Sequence, residues 1–224
     1  MLPSDLSEWI WSSLHAANRS MPFMLWNEFL ALIPFVLSLW LFRRKGTSIR
    51  RLGWWIGLAV FVAFLPNAPY VLTDIIHIVK FIREGTPMWT VVLILVPQYL
   101  IFILIGVEAY VAALVNMGHY LNKQGWSRWV LPAELLLHTL CAIGIYIGRF
   151  PRFNSWDLVT VPHKVLLYTI RALLNPESLA VMMITALIIA AVYWPMKQMT
   201  LAMMLYVRSG GARRYDSGLP KQQN

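Results

Sequence analysis

Apolar residues run along this chain in long blocks, not in the strict alternation of strands, and five blocks approach the ~20 residues a helix needs to cross a bilayer. The first is Met24–Phe42, with Pro34 inside it. The second starts at Leu52 and runs into Pro66-Asn67-Ala68-Pro69, where two prolines interrupt it. The third is Trp89–Val115, the fourth Trp129–Gly148, and the fifth Leu179–Pro195, after which Lys197 is expected to snorkel to the interface. Residues 199–207 are apolar too, and either extend the last helix or fold along the surface. Ahead of these blocks, Leu6, Trp9, Ile10, Leu14 and Ala17 share one helical stripe behind an Asp5/Glu8 capping pair. The pattern therefore predicts an all-α polytopic membrane protein of about five transmembrane helices, with a Pro-broken second span and an N-terminal interfacial helix. Its units are an interfacial helix over 1–20, a single transmembrane domain over 21–207 and a disordered cytoplasmic tail over 208–224.

Composition points the same way: 58% of the 224 residues are hydrophobic, 13% are charged, and the mean hydropathy is +0.59. Soluble domains carry about 25% charged residues, so an ordinary cytosolic enzyme and a nucleic-acid reader with a wet basic face are both excluded. The partner implied is the lipid bilayer. The net charge of +9 is then a basic collar facing anionic headgroups. Acidic residues precede the first basic one, Arg19, which is unlike a signal peptide. The lone Cys141 excludes an intramolecular disulfide.

Lys and Arg fall unevenly on the two sides of the spans. Twelve lie after spans one, three and five, including Arg43, Arg44, Lys45, Arg50 and Arg51; seven lie on the other side. The positive-inside rule then puts the N-terminus outside and the C-terminus in the cytoplasm. Arg149, Arg152, Lys164 and Arg171, all after span four, run against that trend.

Two stretches carry candidate chemistry. If the second helix ends at Leu65 it has about 14 residues, or ~21 Å, short of a ~30 Å hydrocarbon core. Asn67-Ala68-Pro69 would then begin below the outer surface, and backbone broken at that depth needs protein or a wet cavity around it. Broken helices of this kind mark binding sites in transporters. Asp74 and His77 follow at i, i+3 spacing, which puts them on one face, or leaves them a surface pair on an interfacial helix. The second stretch leaves span four: Arg149-Phe150-Pro151-Arg152-Phe153-Asn154-Ser155-Trp156-Asp157. Two guanidinium groups followed by amide, hydroxyl and carboxylate suit the clamping of a phosphate or carboxylate. An aromatic interface belt with snorkelling arginines explains the same residues.

Phe64–Asp74 and Tyr146–Asp157 resemble the two signatures of a bacterial membrane-protein family catalogued as domain of unknown function 1361, and Trp26-Asn27 is similar to that family's start. The resemblance covers residues 24–205, with Phe153 standing where the family often has Trp. It implies a bacterial cytoplasmic (inner) membrane protein and no activity.

Asn27 and Glu28 open span one on the same side, so three separate pieces deliver polar groups to one face. The leading function is a site there for an anionic headgroup, a lipid-linked or a small anionic substrate. Arg149 and Arg152 would hold the anion, with Asn67, Asn154 and Asn27 as further binding groups. Asp74 or Asp157 would act as base, with His77 assisting. Deeper lie Glu108 and the i, i+4 pair Glu134 and His138, which suit a proton relay or an interhelical hydrogen bond. The alternatives are therefore a small proton-coupled transporter, which five spans would build only as a homodimer, and a non-enzymatic partner subunit. Walker, G-x-G-x-x-G, H-E-x-x-H and G-x-S-x-G motifs are absent, and the residues name no metal or cofactor.

Overall fold

Five helices long and apolar enough to cross a membrane make up the computed structural model, which describes residues 6–44 and 52–216, with side chains over 10–44, 52–207 and at 209. The first, α1 (Leu6–Ser38), has 33 residues and continues through a π-helical turn, Leu39–Arg43. The stretch expected as a separate interfacial helix is, from Leu6 on, the start of this same rod. Pro22 costs a single backbone donor and does not end it. Ser13 is buried and its Oγ lies 2.9 Å from Thr90 Oγ1, so this segment packs on the bundle. The Asp5 end of the capping pair, Lys45, Arg50 and Arg51, and residues 217–224 lie outside the described residues.

The second span is α2 (Leu52–Phe64), a bend at Leu65-Pro66, α3 (Asn67–Tyr70), a 3₁₀ segment Val71–Ile75 and α4 (Ile76–Arg83). The third comprises α5 (Met88–Thr90), a π-helical segment Val91–Leu95 and α6 (Val96–Lys123). α7 (Val130–Arg149) is the fourth. Two helices follow that the sequence pattern does not announce, α8 (Asp157–Thr160) and α9 (Pro162–Leu174), both too short to span. α10 (Pro176–Asp216) is the fifth; residues 199–207 extend it, and its backbone stays helical through Asp216, nine residues into the stretch expected as a disordered tail.

α6 is the central helix, packed against α1, α3, α7 and α10. Its inward positions are small or apolar: Gly106, Val107, Tyr110, Val111, Ala113 and Leu114 are all buried. The outward faces of α1, α2, α6, α7 and α10 carry exposed Leu, Ile, Val, Met and Trp, a surface suited to lipid. This is a multi-pass integral membrane protein.

Candidate functional site

The interruption of the second span is mended by its own sequence. Pro66 and Pro69 have no N–H, and the Ala68 amide turns to Leu65 O at 3.2 Å. The carbonyl of Phe64, left without a backbone donor, instead accepts from Asn67 Nδ2 at 2.9 Å. The second hydrogen of that amide goes to Ser155 Oγ at 3.0 Å, in the other motif. Glycines let neighbouring helices close on the bend. A Cβ at Gly144 would stand 2.6 Å from Pro66 Cγ, and one at Gly106 would stand 2.7 Å from Val71 Cγ2. The broken backbone is thus surrounded by protein, as membrane depth demands.

Past the bend, the 3₁₀ segment turns Asp74 into the bundle, where it is 1% exposed. Each carboxylate oxygen takes one donor from a different span. Arg149 Nη2 donates to Oδ1 and Asn27 Nδ2 to Oδ2, both at 3.2 Å. The same Nη2 donates to Thr73 Oγ1 at 2.6 Å, while Thr73 donates to Tyr70 O. The Arg149 guanidinium lies 4.8 Å from the Tyr70 ring centroid, a cation–π distance. His77 leans back on the same turn: its Nδ1 is 3.0 Å from Asp74 O and 3.8 Å from Oδ1, with its ring stacked on Phe23. Asn27, Asp74 and Arg149 therefore come together as one unit.

Beside that unit lies a cavity of about 460 Å³. Asn27, Asn67, Asn154 and Ser155 line it, as do Tyr70 and Gly148, among mostly apolar walls that include Leu30, Leu140 and Ile143. The remaining expected residues stand apart. Asp157 spends both oxygens on its own turn, accepting from Asn154 N at 2.7 Å and Thr160 Oγ1 at 3.2 Å. Arg152 is exposed, sits in the left-handed region at φ 60, and has no ion pair among the described residues. Ser155 has no histidine or carboxylate among its partners, and no three His, Cys, Asp or Glu side chains among the described residues converge as metal ligands.

Tyr70 and Thr73 are site residues that the sequence pattern does not single out, whereas Ser155 is the hydroxyl that it places after the two arginines. The first had a visible signal, because 67, 70, 74 and 77 repeat at helical spacing on one stripe.

Of the deep groups, Glu134 and His138 make interhelical hydrogen bonds, one of their expected roles, and Lys197 departs from expectation. Lys197 does not snorkel; it turns inward, 20% exposed, with Nζ 2.6 Å from Glu134 Oε1. Glu134 Oε1 also accepts from Tyr193 at 2.8 Å, whereas His138 Nδ1 meets Tyr110 Oη at 2.6 Å. Glu134 and His138 are thus partners of other helices and not of each other. Glu108 accepts from Thr200. Both oxygens of Glu28 are buried with no hydrogen-bond partner among the described residues.

The family model described as Protein of unknown function (DUF1361) matches residues 26–192, which takes in both motifs and all of the cavity-lining residues named here. The chain belongs to that family. No curated protein and no solved structure matches it.

Proposed function

We propose that this membrane protein binds an amphipathic molecule with an anionic headgroup, a membrane lipid or lipid-linked substrate, in the cavity between its two motifs. The observation that carries the reading is the cavity's composition: apolar walls suited to a chain, and a polar set of Asn27, Asn154, Tyr70, Ser155 and Thr169 suited to a polar head, with Asn67 held by Phe64 and Ser155. The two arginines divide the work. Arg149 is a positioning residue, committed to Asp74, Thr73 and Tyr70. Arg152, one residue before the cavity-lining Phe153, is the guanidinium available to an anion. Asp74 serves as the anchor of the unit, and His77 backs it.

The Lys/Arg bias supports placing this face outside a bacterial cytoplasmic membrane, with the C-terminus in the cytoplasm. The exception after span four is smaller than its residue count suggests. Arg149 is neutralised by Asp74, which takes one charge from that exception, while Lys164 and Arg171 on the non-crossing α9 stay on that face and still count.

The test is photocrosslinking in phosphatidylcholine nanodiscs with a single-chain phosphate lipid carrying a diazirine. Crosslinks should map to Trp26–Leu30, Asn67–Tyr70 and Gly144–Trp156, and Ile143→Trp, which fills the cavity, should remove them. Labelling spread over the lipid-facing surface, unchanged by Ile143→Trp, would overturn the reading.

A further inference from the structure

A second cavity, of about 310 Å³, lies at the opposite end of the bundle. Asn27 and Arg43 are sixteen residues apart on one helical rod, about 24 Å along its axis at 1.5 Å per residue, so the two cavities are separate. Arg43, Lys197 and Glu134 line this one, with Leu201, Met204 and Leu205 forming an apolar wall.

Its charges do not cancel. Arg43 Nε donates to a neutral acceptor, Asn116 Oδ1, at 2.7 Å, and no carboxylate pairs with it among the described residues. Glu134, the acid in the lining, is already engaged: its Oε1 accepts from both Lys197 and Tyr193. One guanidinium, one ammonium and one carboxylate, whose Oε1 is already paired, leave a net positive cavity. Lys123 and Arg128, at the neighbouring ends of α6 and α7, add to that field.

A guanidinium held beside an apolar helix face is the arrangement that recognises a phosphate with a hydrocarbon attached. From these contacts we infer that this cavity binds a phosphate-bearing anion, with Arg43 as the primary contact and Lys197 held in reserve by Glu134. Two sources share that chemistry, the phosphodiester of an anionic lipid and free phosphate. The apolar wall of Leu201, Met204 and Leu205 favours the lipid. The inference is independent of the first cavity's ligand.

The test uses the full chain in neutral detergent, titrated with dioleoylphosphatidylglycerol by native mass spectrometry and with inorganic phosphate by calorimetry. Arg43→Gln should weaken binding at least five-fold. Glu134→Gln should strengthen it several-fold, because it frees the Lys197 ammonium for the ligand. A purely structural Glu134–Lys197 pair predicts no such gain. Leu201→Trp, which fills the cavity without touching a charge, should abolish binding, and it decides the matter where Glu134→Gln fails to fold. Binding of phosphatidylglycerol with this dependence assigns a lipid, and binding of phosphate alone with the same dependence assigns a free anion. Affinities for both probes unchanged by Arg43→Gln and Leu201→Trp, in variants that melt with the wild type, would overturn the site.

Discussion

Asp74 shows how much of this molecule hangs on single polar contacts. A buried ion pair adds little net stability over an apolar replacement, yet removing one partner costs about 3–5 kcal/mol because the other is left charged and unpaired. Arg149→Met should therefore destabilise the protein by about that amount, seen as a lower melting temperature in detergent and reduced abundance in the membrane. Arg149→Lys should recover only part of it, since an ammonium can donate to both Thr73 and Asp74, as Nη2 does, but has no planar face to lay over Tyr70. The double change Asp74→Leu with Arg149→Met should recover more than Lys does, because no charge then remains buried; a double variant no better than Arg149→Met would show that the pair is not the source of the loss. Glu28 is the opposite case. Its buried carboxylate has no partner among the described residues, so Glu28→Gln and Glu28→Leu should leave the melting temperature unchanged or raise it. A drop of several degrees with both would mean that the carboxylate has a partner outside those residues.

Between elements, the bend at Pro66 is held by what the neighbouring helices lack. Val71 and Pro66 fill the spaces where Gly106 and Gly144 have no side chain, and neither neighbour is a flexible end that can swing aside. Overpacking of this kind costs roughly 1–3 kcal/mol, so Gly144→Ala should lower the melting temperature. Gly53→Ala, on the same broken span with nothing within 4 Å of the added methyl, should not. Equal melting of the two variants would refute the fit. The sequence makes this bend legible, since two prolines three residues apart can hardly continue a regular helix. It does not reveal how the bend is mended. That Asn67 bonds both Phe64 O and Ser155 depends on an 88-residue contact, and a single sequence carries no signal for one. The same holds for Lys197. Its position at the end of an apolar block suggests snorkelling, and only the packing of α7 on α10 puts Glu134 within its reach. The unannounced α9 was hidden because its mix of charged and apolar residues fits a loop as well as an amphipathic helix.

For the whole molecule, the five apolar blocks are legible because a bilayer demands length and hydropathy, both of which can be counted along the chain. Sidedness is weaker, since it rests on a difference of charges and not on a threshold. The structure bears on that difference by changing which charges count. Arg149 and Lys197, one from each side of the tally, are both spent on buried acids, so neither contributes a free charge to its loops. Removing one from each side leaves the excess where it was, and the prediction of a cytoplasmic C-terminus stands with the same sign. A green-fluorescent fusion after Asn224 should then glow, because that reporter folds in the cytoplasm, while an alkaline-phosphatase fusion at the same point should stay inactive. The opposite pair of readouts would invert the molecule. The cavity between the motifs would then face the cytoplasm, and the one lined by Arg43 and Lys197 would face outside, away from the leaflet whose anionic lipids its charge suits. Sidedness therefore binds the two proposed sites together: one pair of fusions assigns a face to both.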